Sequence, residues 1–538
     1  MKLKSLIIFI SCFSAISLFG QEEKPKLVVM ITVDQMRHDY IAKYWERFNE
    51  GGFKRLVNDG FSFDNANFSY VPTMTAVGHA TIGTGTTPVH HGIAANDWYD
   101  RQTKNDIYCV EDTTVTSVGV NGKDGMHSPR NLKSNTFTDQ LKLSSSKSKV
   151  FGISIKDRGA ILPVGFSADA AYWFSGDKGH FISSSYYMSE LPKWVNAFNA
   201  KKQVEVFLKS PWNTLYPIET YTASSADKAD FEGKFKSEMT STFPHVLPNL
   251  IKDNGLGLIK GTPFGNSLLT DFAKELIIKE ELGIDNITDA LSVSFSSTDY
   301  IGHMYGPQSI EVEDTYLRLD QDLANFLEFL DQQIGENQYI VVLTSDHGVA
   351  DIPAHVQGSV GYYDYKAFKE ALANWSTSKY EDDVLEVITN NQIYLNYDVI
   401  NSRKLKLKEV KEELLHFLLN YPSITSAADM IGRTCVGDEA VCQRMYNGYD
   451  PKRSGDVFYS FQPGWLSDYY QKRGGTGHST AYKYDTHVPM IWYGWGVNSG
   501  IEKQEVAIKD IAVTLSDLID IPSPNGSTGK SLMPFIAD

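Results

Sequence analysis

Residues 338–348 read QYIVVLTSDHG: an apolar run from Tyr339 to Leu343, then Thr344, Ser345, Asp346, His347 and Gly348. A strand without polar alternation has no solvent face. It belongs in a sheet covered on both sides, which means a parallel, doubly wound one. Two other stretches repeat the pattern. KLVVMITV, residues 26–33, stops at Asp34-Gln35-Met36, and ALSVSFS, residues 290–296, runs into STDYIGH, which carries Asp299 and His303. Between the second and third strands, Glu313 to Ile334 has the period of an amphipathic helix. The expected fold class is α/β: a three-layer α/β/α architecture with a mainly parallel central sheet, plus inserted cap segments.

Sites in open α/β sheets form beyond the carboxyl ends of the strands. A single acid there is ordinarily a helix cap. Three ends that carry Asp34, Asp299 with His303, and Asp346 with His347 form a donor set for a metal, because zinc takes carboxylate oxygen and imidazole nitrogen. Asp299 and His303 stand one helical turn apart and can face one ion. Asp346 and His347 are adjacent and would diverge on an extended strand; a turn helped by Gly348 lets both reach inward. GGTGHSTAYKYDTHVPMIWYGWG, residues 474–496, offers a further histidine after a glycine-rich loop. His478 could close the ligand set. His487 competes, although it directly precedes VPMIWY and reads more simply as a structural residue at a strand start.

The chain has 538 residues and a formal net charge of −16. That length accommodates one large α/β domain with insertions. The acidic balance argues against nucleic acid as a stable partner, which wants a basic face. A small anionic substrate stays open, since local cations and metals override the global field. The N-terminus sets Lys2 and Lys4 before an apolar stretch from Ser5 to Phe19, then turns polar. This is the layout of a signal peptide over residues 1–20, short for a membrane span. Its removal takes two lysines and no acid, so the mature charge is −18. In an oxidising compartment Cys435 and Cys442 can pair, the alternative being two free thiols; Cys109 is left over.

SYVPTMTAVGHATIGTGTTPVHHG, residues 69–92, holds six threonines and three histidines. Threonine is a poor nucleophile unless its hydroxyl is activated by a neighbouring base or metal. PTMTAVGHA from this stretch, taken with VDQM, STDYIGH, TSDHG and TGHS, resembles the alkaline phosphatase superfamily, and the motifs span the chain from Asp34 to His478. The threonine sets it near the nucleotide pyrophosphatase/phosphodiesterases, and it is similar to the monomeric periplasmic alkaline phosphatases of the PafA type. The resemblance implies that Thr75, not Thr73, is the nucleophile, at the start of a helix. It implies two Zn2+ ions, one held by Asp299, His303 and His478, the other by Asp34, Asp346, His347 and the Thr75 hydroxyl. Thr73, Thr81, Thr84, Thr86 and Thr87 then read as caps and turn residues, and His79, His90 and His91 as packing or hydrogen-bonding residues.

Metal ligands do not separate monoesters from diesters; the groups facing the phosphoryl oxygens do. In KVFGISIKDRGAILPVG, residues 149–165, a strand from Val150 to Ile155 runs into Lys156-Asp157-Arg158. Lys156 and Arg158 are two apart and can point the same way at a strand end. They resemble the lysine and arginine that contact the transferred phosphoryl group in PafA-type enzymes; by themselves they would read as a solvated charged turn. Asn96, in GIAANDWYD, matches the asparagine that this branch uses near the nucleophile. The activity implied is that of a secreted, zinc-dependent phosphomonoesterase working through a phosphothreonine intermediate on small phosphate monoesters, as a monomer in the bacterial periplasm, with no membrane span after signal cleavage.

A phosphodiesterase or nucleotide pyrophosphatase shares the threonine and every ligand, and is disfavoured by Lys156 and Arg158. A sulfatase needs Cys or Ser in a C/S-x-P-x-R context, whereas this position reads Thr75-Ala76-Val77-Gly78. A cofactor-independent mutase would use a serine. A secreted zinc-binding or adhesion protein with a dead site finds no support in the sequence, because nucleophile, ligands and cations are all intact; loss of turnover without metal separates an enzyme from such a binder. Residues 21–538 are expected to form one catalytic domain, with candidate insertions at about 360–470, which carries none of the motifs and is placed to form a cap, and at about 168–248, rich in Tyr, Trp and Ser.

Overall fold

The structure is a computed structural model and describes residues 24–537. Its main sheet is built around β1 (Leu27–Val33), β2 (Phe61–Asn67), β3 (Val150–Ser154), β4 (Ala170–Ser175), β5 (Asp289–Phe295), β6 (Tyr339–Thr344) and β7 (His487–Gly494). The spatial order is β2-β7-β6-β1-β5-β3-β4. From β6 to β4 every pairing is parallel. β7 runs antiparallel to both β6 and β2. His180–Ser184 extends the sheet antiparallel to β4.

The missing alternation in these strands has a direct cause. Leu27, Val29, Ile31 and Val33 of β1 enter one buried core, and Val28 and Met30 enter another on the opposite face. Helices cover both faces, giving the three-layer α/β/α arrangement expected from the sequence. Four helices matter for the site: α1 (Thr75–Thr84), α2 (Asp157–Ile161), α3 (Ser297–Tyr305) and α4 (Ile310–Gln333). The Ser309 hydroxyl caps α4 by accepting from the Val312 amide. Register does the rest: Val33 lies opposite Phe295 and Thr32 opposite Thr344, so β5, β1 and β6 end flush and deliver Asp299, Asp34 and Asp346 to one edge.

Residues 385–461 build a second, five-stranded antiparallel sheet. Helices Tyr365–Tyr380 and Leu407–Asn420 close over it around a core that includes Phe368, Leu372, Leu414 and Val457. The boundary expected at 168 falls elsewhere: β4 and His180–Ser184 belong to the main sheet, so any insertion there begins after Ser184. Tyr172 and Trp173 of β4 face the two sheet cores. Cys435 and Cys442 form a disulfide, and Cys109 is free and buried. The signal peptide expected over residues 1–20 lies outside the described residues. Among the described residues no helix is long and apolar enough to cross a membrane.

One buried cluster fixes a pH dependence of stability. His245 is fully buried between Glu238, 2.8 Å from Nδ1, and Glu311, 3.3 Å from Nε2. Burial opposes its charging, but the two carboxylates outweigh burial and raise its pKa to about 9. A folded-state value above the unfolded one contributes stability that is complete below about pH 6.5 and is lost as pH rises through about 9. The melting temperature is expected to fall between pH 6.5 and 9, and His245→Gln to flatten that fall, in thermal scans at pH 6, 7.5 and 9. A slope unchanged in the variant would remove His245 from this account.

Candidate active site

Thr75 opens α1 and is buried, with Met74 in the extended N-cap position. α1 can lie against the end of β6 because residue 78 is glycine: a Cβ there would fall 2.2 Å from the Asp346 carbonyl oxygen. The Thr75 Oγ1 is 3.4 Å from His347 Nε2 and 3.3 Å from Lys156 Nζ.

All three site histidines are oriented the same way. His347 Nδ1 pairs with the Gly348 carbonyl at 2.9 Å, His303 Nδ1 with Thr476 at 2.8 Å and His478 Nδ1 with Thr73 at 2.7 Å. A backbone carbonyl on Nδ1 fixes that nitrogen as the N–H and leaves the Nε2 lone pair for a ligand. Each Nε2 faces carboxylates: His347 lies 3.6 Å from both Asp34 Oδ1 and Asp346 Oδ2, His303 3.2 Å and His478 3.8 Å from Asp299 Oδ1. Gly475 makes this convergence possible. It adopts φ +87°, and a Cβ there would lie 2.0 Å from the His303 carbonyl oxygen.

Two donor groups emerge. Asp34, Asp346 and His347 offer atoms within 4.8 Å of one another, and so do Asp299, His347 and His478. His303 adjoins the second through Asp299. Asp34 Oδ1 and Asp346 Oδ2 are buried without a hydrogen-bond donor. Buried carboxylate oxygens are expensive to leave unpartnered, and a cation bound between them supplies the missing interaction. The residues therefore fit a metal centre with two adjacent positions. Burial pushes the Asp34 carboxyl well above its usual range, and Asp346 adds to the shift; burial also takes Asp346 up to about 7. Burial lowers His347 to about 4, and burial with the neighbouring His347 and His303 rings holds His478 well below its ordinary value. Neutral imidazole is the form that ligates. Burial opposes ionisation of Asp299, yet His303 and Lys156 outweigh it and hold this carboxylate far down.

The cations are placed differently from the simple picture of two residues on one strand end. β3 stops at Ser154, and Lys156 is the N-cap of the short α2. Its Nζ sits 2.6 Å from Asp299 Oδ2 and 2.7 Å from Asp34 Oδ2, joining the two donor groups beside the Thr75 hydroxyl. Arg158 donates to the Tyr108 hydroxyl at 3.0 Å, while its Nε is buried with no acceptor. Both side chains line one cavity of about 510 Å3 that also reaches Asp299 and His303. Asn96 accepts a hydrogen bond from the Ala76 amide through Oδ1 at 3.0 Å. It thus caps the residue after Thr75, and its side-chain N–H2 remains available as a donor.

His487 is a structural residue: its Nε2 bonds to the Asp64 carbonyl at 2.9 Å and its ring stacks on His38. His79 and His91 are buried and hydrogen-bonded within the protein, and His90 is exposed. Gln35 has a place that its sequence did not announce. Its backbone N–H donates to Asp346 Oδ1 at 3.1 Å and its side-chain amide to Asp299 Oδ1 at 2.6 Å, from a left-handed backbone at φ +66°. The quoted VDQM carries the residue, but only the flush strand ends reveal that one residue bridges both carboxylates, through its backbone N–H to Asp346 and its side-chain amide to Asp299.

The fold and site define a three-layer α/β/α protein with a candidate metal centre beside a buried threonine at a helix N-terminus. Residues 28–488 match the type I phosphodiesterase/nucleotide pyrophosphatase family, and the chain belongs to that family. It is 45% identical over 549 residues to a protein of Myroides odoratus named calcium-transporting ATPase, covering 100% of both chains. It is 44% identical over 522 residues to alkaline phosphatase PafA of Elizabethkingia meningoseptica, covering 95% of each. The crystal structure of wild-type alkaline phosphatase PafA superposes with a TM-score of 0.91 at 42% identity, over 96% of this chain and 99% of the other. The resemblance drawn from the motifs is borne out, and the chain is an enzyme of the alkaline phosphatase kind.

Proposed function

We propose that the protein is a secreted, periplasmic phosphomonoesterase that works as a monomer with two Zn2+ ions and a phosphothreonine intermediate. The observation that carries this reading is the pair of cations beyond the ligand set: the Lys156 ammonium 3.3 Å from the Thr75 hydroxyl, and the Arg158 side chain lining the same cavity. A monoester dianion presents one more charge than a diester and rewards such groups.

Asp34, Asp346, His347 and the Thr75 hydroxyl would hold one ion, and Asp299, His303 and His478 the other. Bound zinc supplies Lewis acidity and a lowered hydroxyl pKa at this position. Thr75 directs its oxygen at phosphorus from the helix N-terminus, and its new P–O bond forms as the ester oxygen departs. Lys156 and Arg158 hold the equatorial oxygens, and Asn96 donates its free N–H to one of them. Water then cleaves the phosphothreonine and releases inorganic phosphate. The lobe at 360–470 is proposed as the cap over this site. The ATPase name of the Myroides relative fits the same machinery, since the terminal phosphoryl group of ATP also offers dianionic oxygens.

The test is hydrolysis of p-nitrophenyl phosphate against bis-p-nitrophenyl phosphate by the mature protein, before and after chelation. The monoester should be strongly preferred. Metal removal should cut its turnover by about a hundredfold or more, since metal stabilisation of the transition state is worth several kcal/mol, and added zinc should restore it. A preferred diester would install the phosphodiesterase reading instead.

A further inference from the structure

The cavity that holds Lys156, Arg158, Asp299 and His303 is also lined by Lys260 and Arg473. Lys260 lies in the short helix Leu256–Gly261, and Arg473 ends the helix Asp468–Arg473. Neither contacts Thr75 or the ligand carboxylates, so neither belongs to the machinery described above. Neither pairs with a carboxylate among the described residues. Arg473 donates to the Tyr469 hydroxyl at 2.8 Å, and the Lys260 ammonium stands 5.8 Å over the Phe174 ring.

The charge balance makes this placement informative. The chain carries 66 acidic residues against 50 lysines and arginines, so a cavity lined by four cations runs against the overall charge. Here four cations share one cavity, and its acid, Asp299, is already engaged by Lys156 and His303. A cleft lined by one sign of charge concentrates ligands of the other. At about 510 Å3 it falls within the roughly 300–1,000 Å3 of small-ligand sites and exceeds what one phosphoryl group needs. The Phe235, Tyr300 and Tyr470 rings provide its apolar wall.

We propose that this cavity is the leaving-group pocket and that Lys260 and Arg473 select phosphate monoesters whose alcohol bears a second anionic group, a phosphate or a carboxylate. Lys156 and Arg158 hold the phosphoryl group that is transferred, and Lys260 and Arg473 hold the anion that departs with the alcohol. The inference rests on the phosphomonoesterase reading.

The experiment compares kcat/KM for propane-1,3-diol bisphosphate, 3-hydroxypropanoate phosphate and propyl phosphate with the zinc-loaded enzyme. The two esters that carry a second anionic group should be preferred by about tenfold or more, given the worth of charge-assisted contacts discounted for the exposure of Arg473. Lys260→Met with Arg473→Met should bring the ratios close to one, and Lys260→Arg with Arg473→Lys should keep them. Preference for both esters, or for the bisphosphate alone, supports the proposal and in the second case narrows the class to phosphate. Hydrolysis of all three without preference, or a preference that survives the double Met variant, overturns it and leaves the phosphomonoesterase reading standing. Failure on every monoester with turnover of a diester would overturn both.

Discussion

Thr75→Ala is expected to lower kcat on p-nitrophenyl phosphate by about 10⁴- to 10⁶-fold, the scale seen when a covalent nucleophile is deleted. The expectation follows from its position. Thr75 is buried, and its Oγ1 lies 3.4 Å from His347 Nε2 and 3.3 Å from Lys156 Nζ. A hydroxyl placed between an imidazole ligand and an ammonium is held ready to lose its proton. Thr75→Ser keeps that oxygen and loses the β-branch that restricts its rotamer, so about 10- to 100-fold of activity should be lost at most. Acid quenching during turnover should leave a phosphoryl group on the peptide that contains Thr75, and none in the Ala variant. Retention of a few per cent of wild-type turnover by Thr75→Ala would mean that water attacks the ester directly and that no covalent step is needed.

The part of this site that could be read in advance is the part written in strand ends. Asp34 and Asp346 follow runs with no polar alternation, which belong in a doubly covered sheet; the run before Asp299 alternates with serines that are buried all the same, and the register sets the three strand ends flush. His478 against His487 was undecidable on spacing alone. It is the Thr73 carbonyl on His478 Nδ1 and the Asp64 carbonyl on His487 Nε2 that send one ring into the site and the other onto the sheet edge. Gln35 was illegible for a different reason. An amide after a strand has no periodic signature, and its two hydrogen bonds require three strand ends already in place. The boundary near 168 misled because Ala170–Ser175 is rich in aromatic residues, a composition shared by ligand-facing surfaces and by buried sheet faces. Asn96 shows a residue whose position was suggested by its motif while its acceptor oxygen does unannounced structural work on the Ala76 amide.

Replacing both Lys156 and Arg158 by alanine should lower kcat/KM for the monoester by about 10³-fold and for the diester by less than about tenfold, so that the ratio between them collapses. The first figure rests on hydrogen bonds to charged groups worth about 1.5–3 kcal/mol each, which is tenfold or more per residue. The second rests on the charge that a diester lacks. The two residues should not contribute alike. Arg158 lines the cavity and its side chain hydrogen-bonds the neutral Tyr108 hydroxyl, so its guanidinium is more readily turned to a substrate oxygen. Lys156 is already in ion pairs with Asp34 and Asp299, and it must share its ammonium between those carboxylates and the substrate. Its loss also leaves two buried acids with less positive charge, which strengthens their demand for a cation. Metal content of the Lys156→Ala protein should therefore equal or exceed that of wild type, and this separates a lost phosphoryl contact from a lost metal centre. Arg158→Lys keeps the charge without the forked donor and should recover only part of the monoester rate. Equal losses on monoester and diester, with metal retained, would show that these cations do not read the additional phosphoryl charge and would return the chain's main activity to the phosphodiesterases.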